Sequence, residues 1–197
     1  MSQRRVKMLA MVLPIAVAAI ALLAWSQTWI EVTLDDDRVL AVGGGVAAPA
    51  IPPLAIAGLA LVGALALAGI VFRVILGLMQ AVLGVGIVAS AAVALADPVL
   101  AASSSITEAT GIEGSSSVRE IVTQSVSTAW PVVALAVGLA AIVVGIGISA
   151  TAHHWPGRVR KYDALRTVDT APQAPGDGRH DVDAWDALSD GDDPTAR

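Results

Sequence analysis

The fold is decided by the run LAIAGLALVGALALAGIVFRVILGLMQAVLGVGIVASAAVALA, residues 54–96. Its 43 residues carry a single charged side chain, Arg73. As one continuous helix the run would be roughly 65 Å long, about twice the ~30 Å hydrocarbon core of a bilayer. A charged side chain is costly at the bilayer centre, so we expect Arg73 at a turn among the lipid headgroups. The run therefore predicts two membrane-spanning helices, residues 54–72 and 74–96, joined as a tight hairpin.

Composition places the whole chain in the membrane class. Of the 197 residues, 55% are hydrophobic and only 4% are aromatic, whereas soluble domains average about 45–50% apolar residues. The absence of cysteine excludes disulfides and cysteine-based nucleophile, metal or haem sites. Small residues, which let membrane helices approach closely, recur every third or fourth position on three predicted spans: Ala60, Ala64 and Ala68; Gly77, Ala81 and Gly84; Ala141, Gly145 and Ser149.

The chain begins with a basic segment, residues 1–7, followed by an apolar run of 18 residues, Met8–Trp25. A basic start before an apolar run is typical of a signal peptide and also of a membrane helix. We favour a retained helix, because the run is longer than a usual signal core and Trp25 stands where a small-residue cleavage site is expected. Met8–Trp25 is therefore the first predicted span.

Residues 26–51 leave the membrane. Trp29–Leu34 alternates with period two, which places Ile30, Val32 and Leu34 on one face of a strand. Asp35–Arg38 then form a turn, and Val39–Val42 return as a second strand. The adjacent aspartates also suggest a calcium loop, but such loops space their ligands at alternate positions and add a distal glutamate. The segment therefore predicts a small β-hairpin outside the bilayer.

Residues 97–129 form a second polar segment outside the bilayer. Ser117 and Glu120 match a capping box. Apolar residues then follow helical spacing: Val118, Ile121, Val122 and Val126. We expect a short amphipathic helix, residues 118–127, lying on the membrane surface. The uncharged residues 131–152 are the fourth predicted span.

Charge decides the predicted orientation. If four helices span, both termini lie on the same side. That side carries eight basic residues and the other carries two, namely Arg4, Arg5, Lys7, Arg73, Arg158, Arg160, Lys161 and Arg166 against Arg38 and Arg119. Lys and Arg are in excess in cytoplasmic segments. We therefore expect a multi-pass protein of the plasma membrane with both termini in the cytoplasm.

Four of the five tryptophans fall at the predicted membrane surfaces: Trp25, Trp29, Trp130 and Trp155. The amphipathic indole ring is favoured at that depth. We interpret these tryptophans, together with Arg73, as membrane-interface anchors. The alternative interpretation is an aromatic ligand site.

The predicted spans offer little chemistry. Their interiors contain no Asp, Glu, Lys, Arg or His, groups that proton relays and ion carriers normally need. Gln80 is strongly polar and indicates either an interhelical hydrogen bond or a permeation path. Adjacent helical residues point about 100° apart, so His153 and His154 make a poor pair of metal ligands. We expect a non-enzymatic protein with no catalytic residues, no cofactor, no metal and no nucleic-acid partner.

The tail, residues 153–197, is basic at first and acidic at its end. Its middle is rich in Pro, Gly and Asp, a composition typical of disorder. Val182, Trp185 and Leu188 recur at spacing three, with Asp183 and Asp186 between them. This pattern is typical of a short helix that binds in the groove of a partner. We predict these five residues as a partner-binding segment; the alternative is an inert acidic tail.

Four short motifs are distinctive within this chain: SQTW at 26–29, TAWP at 128–131, WPG at 155–157 with Tyr162, and the ending DAWDALSDGDDPT at 183–195. In these motifs the chain resembles the tryptophan-associated transmembrane proteins of actinobacteria. That ending is similar to the family pattern D-x-W-D-A-L-D-x-G-x-D-P-T, from which Ser189 departs. The resemblance implies a four-helix membrane protein of uncharacterised activity, often encoded beside tryptophan biosynthesis genes. It supplies no catalytic residues to carry over.

These observations together predict an all-α membrane protein: a four-helix bundle with a small extracytoplasmic hairpin, a short amphipathic helix and a disordered cytoplasmic tail. The leading hypothesis is a non-enzymatic protein that binds a cytoplasmic or membrane partner through its tail, in connection with tryptophan metabolism. The alternative is a transport component for tryptophan or a related aromatic metabolite, in which small-residue helix faces assemble a homo-oligomeric pore.

Overall fold

The computed structural model describes residues 3–154, and the side chains of residues 8–153. Over that range the chain is mostly helical, with one small sheet of three strands. In chain order the elements are α1 (Gln3–Trp25), β1 (Thr28–Leu34), β2 (Val39–Gly43), α2 (Gly44–Ala47), α3 (Ile51–Leu67), α4 (Ile70–Ala96), α5 (Pro98–Ala101), α6 (Ser103–Thr110), α7 (Ser115–Glu120), β3 (Val122–Ser127), α8 (Trp130–Thr151) and a 3₁₀ turn (Ala152–His154).

Four long helices pack side by side as a bundle. Helix α1 contacts α3 and α8, and α4 contacts the same two helices. Within residues 3–154, three helices are long and apolar enough to cross a membrane: Met8–Trp25 of α1, α4 and α8. Helix α3 is also apolar but has 17 residues, which gives about 25 Å of helix.

The turn of the central hairpin lies earlier than the sequence predicted. Ala68 and Gly69 are extended and separate α3 from α4, whereas the predicted spans were residues 54–72 and 74–96. Glycine is a poor helix former, so the chain breaks there and not at the charge. Arg73 is consequently the fourth residue of α4, and only 8% of it is exposed. The prediction that Arg73 forms the turn is wrong.

Helices α4 and α8 meet along a seam of small residues, which we call the α4–α8 seam: Gly77, Ala81, Gly84, Gly138, Ala141, Gly145 and Ser149. A Cβ atom placed on Gly145 would lie 2.5 Å from the backbone nitrogen of Ala81. The Ser149 hydroxyl donates a hydrogen bond of 3.1 Å across the seam to the Val74 carbonyl. The predicted packing faces of these two helices are confirmed. The third predicted stripe is different, because Ala60 and Ala64 are exposed on α3.

The predicted β-hairpin is confirmed. Strand β1 pairs antiparallel with β2, and residues 35–38 form the turn. One face of β1 is buried, with Ile30, Val32 and Leu34 at most 1% exposed. The Asp36 carboxylate pairs with Arg38 inside the turn, and Asp37 adopts a positive φ of 62°.

The predicted amphipathic helix over residues 118–127 is wrong beyond Glu120. Helix α7 starts earlier, at Ser115, and ends at Glu120, so Ser117 lies inside the helix and does not cap it. Residues Val122–Ser127 form β3, which pairs antiparallel with the free edge of β1. Val, Thr and Ser side chains dominate this segment, and β-branched residues favour strands. The open edge of β1 supplied the hydrogen-bond partners that decided its conformation.

The sheet joins two distant segments into one cap, which we define as residues 26–50 and 97–129. Its strand order is β2-β1-β3, so the strand from the second segment lies beside the first strand of the first segment. Ile106 of α6 and Val118 of α7 are at most 2% exposed and belong to the same apolar core as Trp29 and Ile30. The cap adjoins the end of the bundle at which α1 ends and α8 begins.

Candidate functional site

The predicted partner-binding segment lies outside the described residues. Val182, Asp183, Trp185, Asp186 and Leu188 all fall beyond residue 154, as does the predicted anchor Trp155. The structure therefore places none of these six side chains, and the tail site stays a prediction. The remaining predicted site residues lie in the cap and in the bundle.

Trp29 is a core residue of the cap. It is 0% exposed, and its indole N–H donates a hydrogen bond of 2.7 Å to the Ala24 carbonyl. A ring with no exposed surface cannot contact lipid headgroups, so the interface role predicted for Trp29 is wrong. The signal was present in the strand pattern, because aromatic residues favour strands and a hydrogen-bonded indole is readily buried.

Trp25 and Trp29 flank a glycine run that the sequence did not mark as a contact site. A Cβ atom on Gly44 would lie 2.5 Å from the Trp25 carbonyl oxygen and 2.7 Å from Trp29 Nε1. Gly45 is packed against the Trp25 ring, with a distance of 3.6 Å from its ideal Cβ position to Cζ2. Only glycine fits at position 44, so the glycine run allows the end of β2 to pack closely against the end of α1.

Trp130 begins α8 and is partly exposed. The preceding Thr128 links the cap to this helix, because its hydroxyl donates to the Thr28 carbonyl at 2.8 Å and accepts from the Trp130 N–H at 3.3 Å. The Thr128 N–H also donates to the Trp29 carbonyl at 2.9 Å. The anchoring role predicted for Trp130 and for the partly exposed Trp25 stays a prediction.

The cap carries an open hollow of about 560 Å³. Its lining includes the apolar residues Leu100 and Val118, together with Gly114 and with hydroxyl and carboxylate side chains: Ser103, Ser104, Thr107, Glu108, Glu113 and Ser115. Beside it, Arg119 forms an ion pair with Asp97 that connects α7 to the end of α4. The Leu100 N–H, which donates to the Asp97 carboxylate, and the Arg119 guanidinium both hold the pKa of Asp97 below its ordinary value.

The bundle contains one polar site on its axis. Of the side chains described over residues 8–153, Arg73 and Gln80 are the charged or polar ones that are buried, with 8% and 5% exposed. They lie seven residues apart, so they share one face of α4. Gln80 packs against α3, where an ideal Cβ on Gly58 would be 3.4 Å from its Oε1. Within the described residues, no hydrogen-bond partner reaches that oxygen.

Gln80 lines a small cavity of about 10 Å³, which we call the axial cavity. All four long helices contribute to it: Pro14 from α1, Leu61, Val62 and Leu65 from α3, Leu76 and Gln80 from α4, and Ile148 from α8. The interhelical hydrogen bond predicted for Gln80 is not formed by Oε1 within this range. No group of three His, Cys, Asp or Glu that could hold a metal occurs among the described residues.

The match to a known protein family covers nearly the whole chain. The family model of the tryptophan-associated transmembrane protein matches residues 11–195, a range that includes the bundle, the cap and residues 182–188 of the tail. No curated protein and no solved structure matches the chain. The apolar helices of the bundle agree with a membrane-spanning protein. The chain therefore belongs to the tryptophan-associated transmembrane protein family.

Proposed function

We propose that this protein is a non-enzymatic membrane anchor that binds a protein partner through residues 182–188 of its tail, in connection with tryptophan metabolism. The observation that carries the proposal is the extent of the family match. It continues through the tail to residue 195, so the segment with Trp185 and Leu188 lies within the range that matches the family model. An inert tail would not need an apolar edge within an acidic sequence.

The docking proposal includes a topology of four spans with both termini in the cytoplasm. The pairing of β1 with β3 supports it, because the two segments between predicted spans fold together and must lie on one side of the membrane. At about 25 Å, α3 is shorter than the ~30 Å core, but short spans are accommodated by local thinning of the bilayer. The positive charges of the sequence favour the cytoplasm for the opposite side.

Affinity purification from native membranes after mild cross-linking tests the docking proposal. The full chain is compared with Trp185→Ala and with Leu165→Ala, a matched apolar substitution in the tail outside the segment. We expect a discrete partner with the full chain and with Leu165→Ala, and its loss with Trp185→Ala. The same proteins in all three samples, or a chain that elutes alone in all three, would overturn the proposal.

A second candidate function is a transport component for tryptophan or a related aromatic metabolite. Two observations favour it: the axial cavity with its buried amide, Gln80, and the exposed small residues Ala60 and Ala64, which suit contact with a second copy. Uptake and efflux of labelled tryptophan are measured in cells that carry the full chain, Gln80→Leu or no gene. Equal fluxes in all three would eliminate this candidate.

A further inference from the structure

A surface groove of about 310 Å³, which we call the α1–α8 groove, lies between α1 and α8. Residues between 9 and 13 of α1 line one wall, and residues between 143 and 151 of α8 line the other. The Thr151 hydroxyl is the polar side-chain group of this lining, and it already donates to the Gly147 carbonyl at 2.7 Å. The groove therefore offers an apolar surface to the molecule that fills it.

The α1–α8 groove is closed at its floor and open at its rim. On the floor, Ala10 and Ile148 are 7% and 4% exposed and pack in one apolar cluster with Leu65. On the rim, Leu13 and Val143 are 42% and 69% exposed. Both helices have the length and composition of membrane spans, so the open side of the groove is available to lipid.

Gly147 leaves room in the groove for a ligand. An ideal Cβ on this glycine would have no described atom within 4 Å. The lined part of α8, from Val143 to Thr151, extends over about 12 Å of helix. An unfilled apolar gap forfeits dispersion contacts, and a polar group placed there would lose hydrogen bonds to water. A lipid acyl chain meets both conditions.

Positive charge precedes the groove along α1. The first turns of this helix carry three basic residues and no acid: Arg4, Arg5 and Lys7. Position 5 is about one turn before Leu9 and about two turns before Leu13, so these positions share one face of the helix. Within residues 3–154, every Asp and Glu belongs to the cap, at the other end of α1. An anionic group is therefore favoured where α1 begins.

We propose that the α1–α8 groove binds an anionic phospholipid. One acyl chain lies in the groove against Gly147, and the phosphate lies beside the first turns of α1. The apolar groove supplies the affinity for the chain, and the basic residues supply the selectivity for a negatively charged headgroup. This inference concerns the bundle alone and does not depend on what the tail binds.

Photo-cross-linking of the full chain in phosphatidylcholine vesicles tests the proposal. One sample contains a trace of phosphatidylglycerol with a diazirine in one acyl chain, and the other contains phosphatidylcholine with the same diazirine chain. Peptide mass spectrometry identifies the labelled residues. We expect the phosphatidylglycerol probe to concentrate in residues 9–13 and 143–151. There its labelling should exceed that of the phosphatidylcholine probe by at least about fivefold, the factor that one basic residue near the membrane surface supplies.

Two glycine variants test the acyl-chain position. Gly147→Leu fills the groove, so labelling there should fall to the level of the other lipid-facing segments. Gly63→Leu is the matched control, because this glycine lies on α3, outside the groove, and its added Cβ would also have no described atom within 4 Å. Labelling of the groove should be unchanged in Gly63→Leu.

Two charge variants test the headgroup position. Replacement of Arg4, Arg5 and Lys7 together by glutamine should make the two probes label the groove equally. Arg38→Gln is the control, because it removes an exposed basic residue from the cap. The preference for the phosphatidylglycerol probe should persist in Arg38→Gln.

Three results with the unaltered chain would overturn the proposal. Equal labelling of the groove by both probes would mean that it holds ordinary boundary lipid. Label spread evenly over all lipid-facing helices would mean that the groove is not a site. An unlabelled groove, with cross-links between two chains, would mean that a second copy covers it. Full labelling of Gly147→Leu would also contradict the proposal; if that variant does not fold, the unaltered chain decides alone.

Discussion

In the cap, large side chains such as Trp29, Ile30 and Leu34 are at most 1% exposed, whereas the α4–α8 seam buries glycine and alanine. The cap buries large apolar side chains, and removing apolar area from water stabilises such a core. The bundle helices have the composition of membrane spans, and lipid chains are as apolar as leucine. Helices in lipid associate mainly through close packing and hydrogen bonds. One chain therefore uses large residues in one region and the smallest residues in the other.

This difference predicts opposite sensitivities. Truncation of a large side chain should destabilise the cap, and enlargement of a small side chain should destabilise the bundle.

Trp29→Ala should lower the free energy of unfolding by about 3–5 kcal/mol, because it leaves a cavity in the cap core and removes the hydrogen bond to Ala24. Thermal unfolding of the detergent-solubilised protein, followed by near-ultraviolet circular dichroism, measures the effect. Trp29→Phe keeps most of the buried area and is the control, with a loss of about 1 kcal/mol for the missing hydrogen bond. Equal losses for both would mean that burial of the ring does not stabilise the cap.

Gly145→Ala should destabilise the bundle by about 1–3 kcal/mol, since overpacking forces backbone shifts. Its added Cβ would meet the Ala81 nitrogen at 2.5 Å and the Gly77 carbonyl oxygen at 2.6 Å. Gly147→Ala, on the same helix, is the matched control, because no described atom lies within 4 Å of the added Cβ. The two variants are compared by thermal unfolding in the same lipid. If Gly147→Ala were the more destabilised, the close approach of α4 and α8 would be wrong.

Thr128→Val should lower the unfolding free energy by about 1 kcal/mol per lost hydrogen bond. The hydroxyl bonds both the Thr28 carbonyl and the Trp130 N–H, so it lies at the junction between cap and bundle. Thr128→Ser keeps the hydroxyl and serves as the control. Hydrogen exchange at the Trp130 amide should become faster in the valine variant alone. Unchanged exchange would show that this junction is held by packing.

The Asp97–Arg119 pair should contribute a small, pH-dependent stabilisation of the cap. The pKa of Asp97 is lowered from its ordinary value of 3.8 by the Leu100 N–H and by Arg119, so the ionised form favours the folded state. Its contribution is complete above about pH 4 and disappears as the pH falls through the lowered pKa. Arg119 is exposed and Asp97 is partly exposed, so added salt should weaken the pair. The melting temperature of Asp97→Asn, measured against pH, should fall less steeply in acid than that of the unaltered chain.

The regular part of this fold could be predicted from the sequence. Long apolar runs indicated the bundle helices, and alternation in Trp29–Leu34 indicated the first hairpin, because both signals are local. Strand β3 could not be predicted in the same way, since Val122 and Val126 fit the helical spacing and its partner strand is about ninety residues earlier in the chain. Its conformation depends on an open edge of β1 that only the folded cap presents.

The candidate site shows the same limit. Gln80 stood out in the sequence as a polar residue in an apolar run, but its position beside Pro14 follows from the packing of all four helices. The charge of Arg73 predicted the turn at that residue. The turn instead lies at Ala68 and Gly69, between the end of α3 at Leu67 and the start of α4 at Ile70. The burial of Trp29 was missed because a tryptophan near a span is usually read as an interface anchor.

Residues 26–50 and 97–129 form one cap, and we propose that it lies on one side of a membrane that four helices cross. The chain has no cysteine, so single cysteines introduced at Asp36, Ser104, Gly69 and Thr170 can be labelled with a membrane-impermeant maleimide on intact cells. We expect Asp36→Cys and Ser104→Cys to react from outside, and Gly69→Cys and Thr170→Cys to react only after permeabilisation. Labelling of Asp36→Cys and Ser104→Cys from opposite sides would contradict the claim.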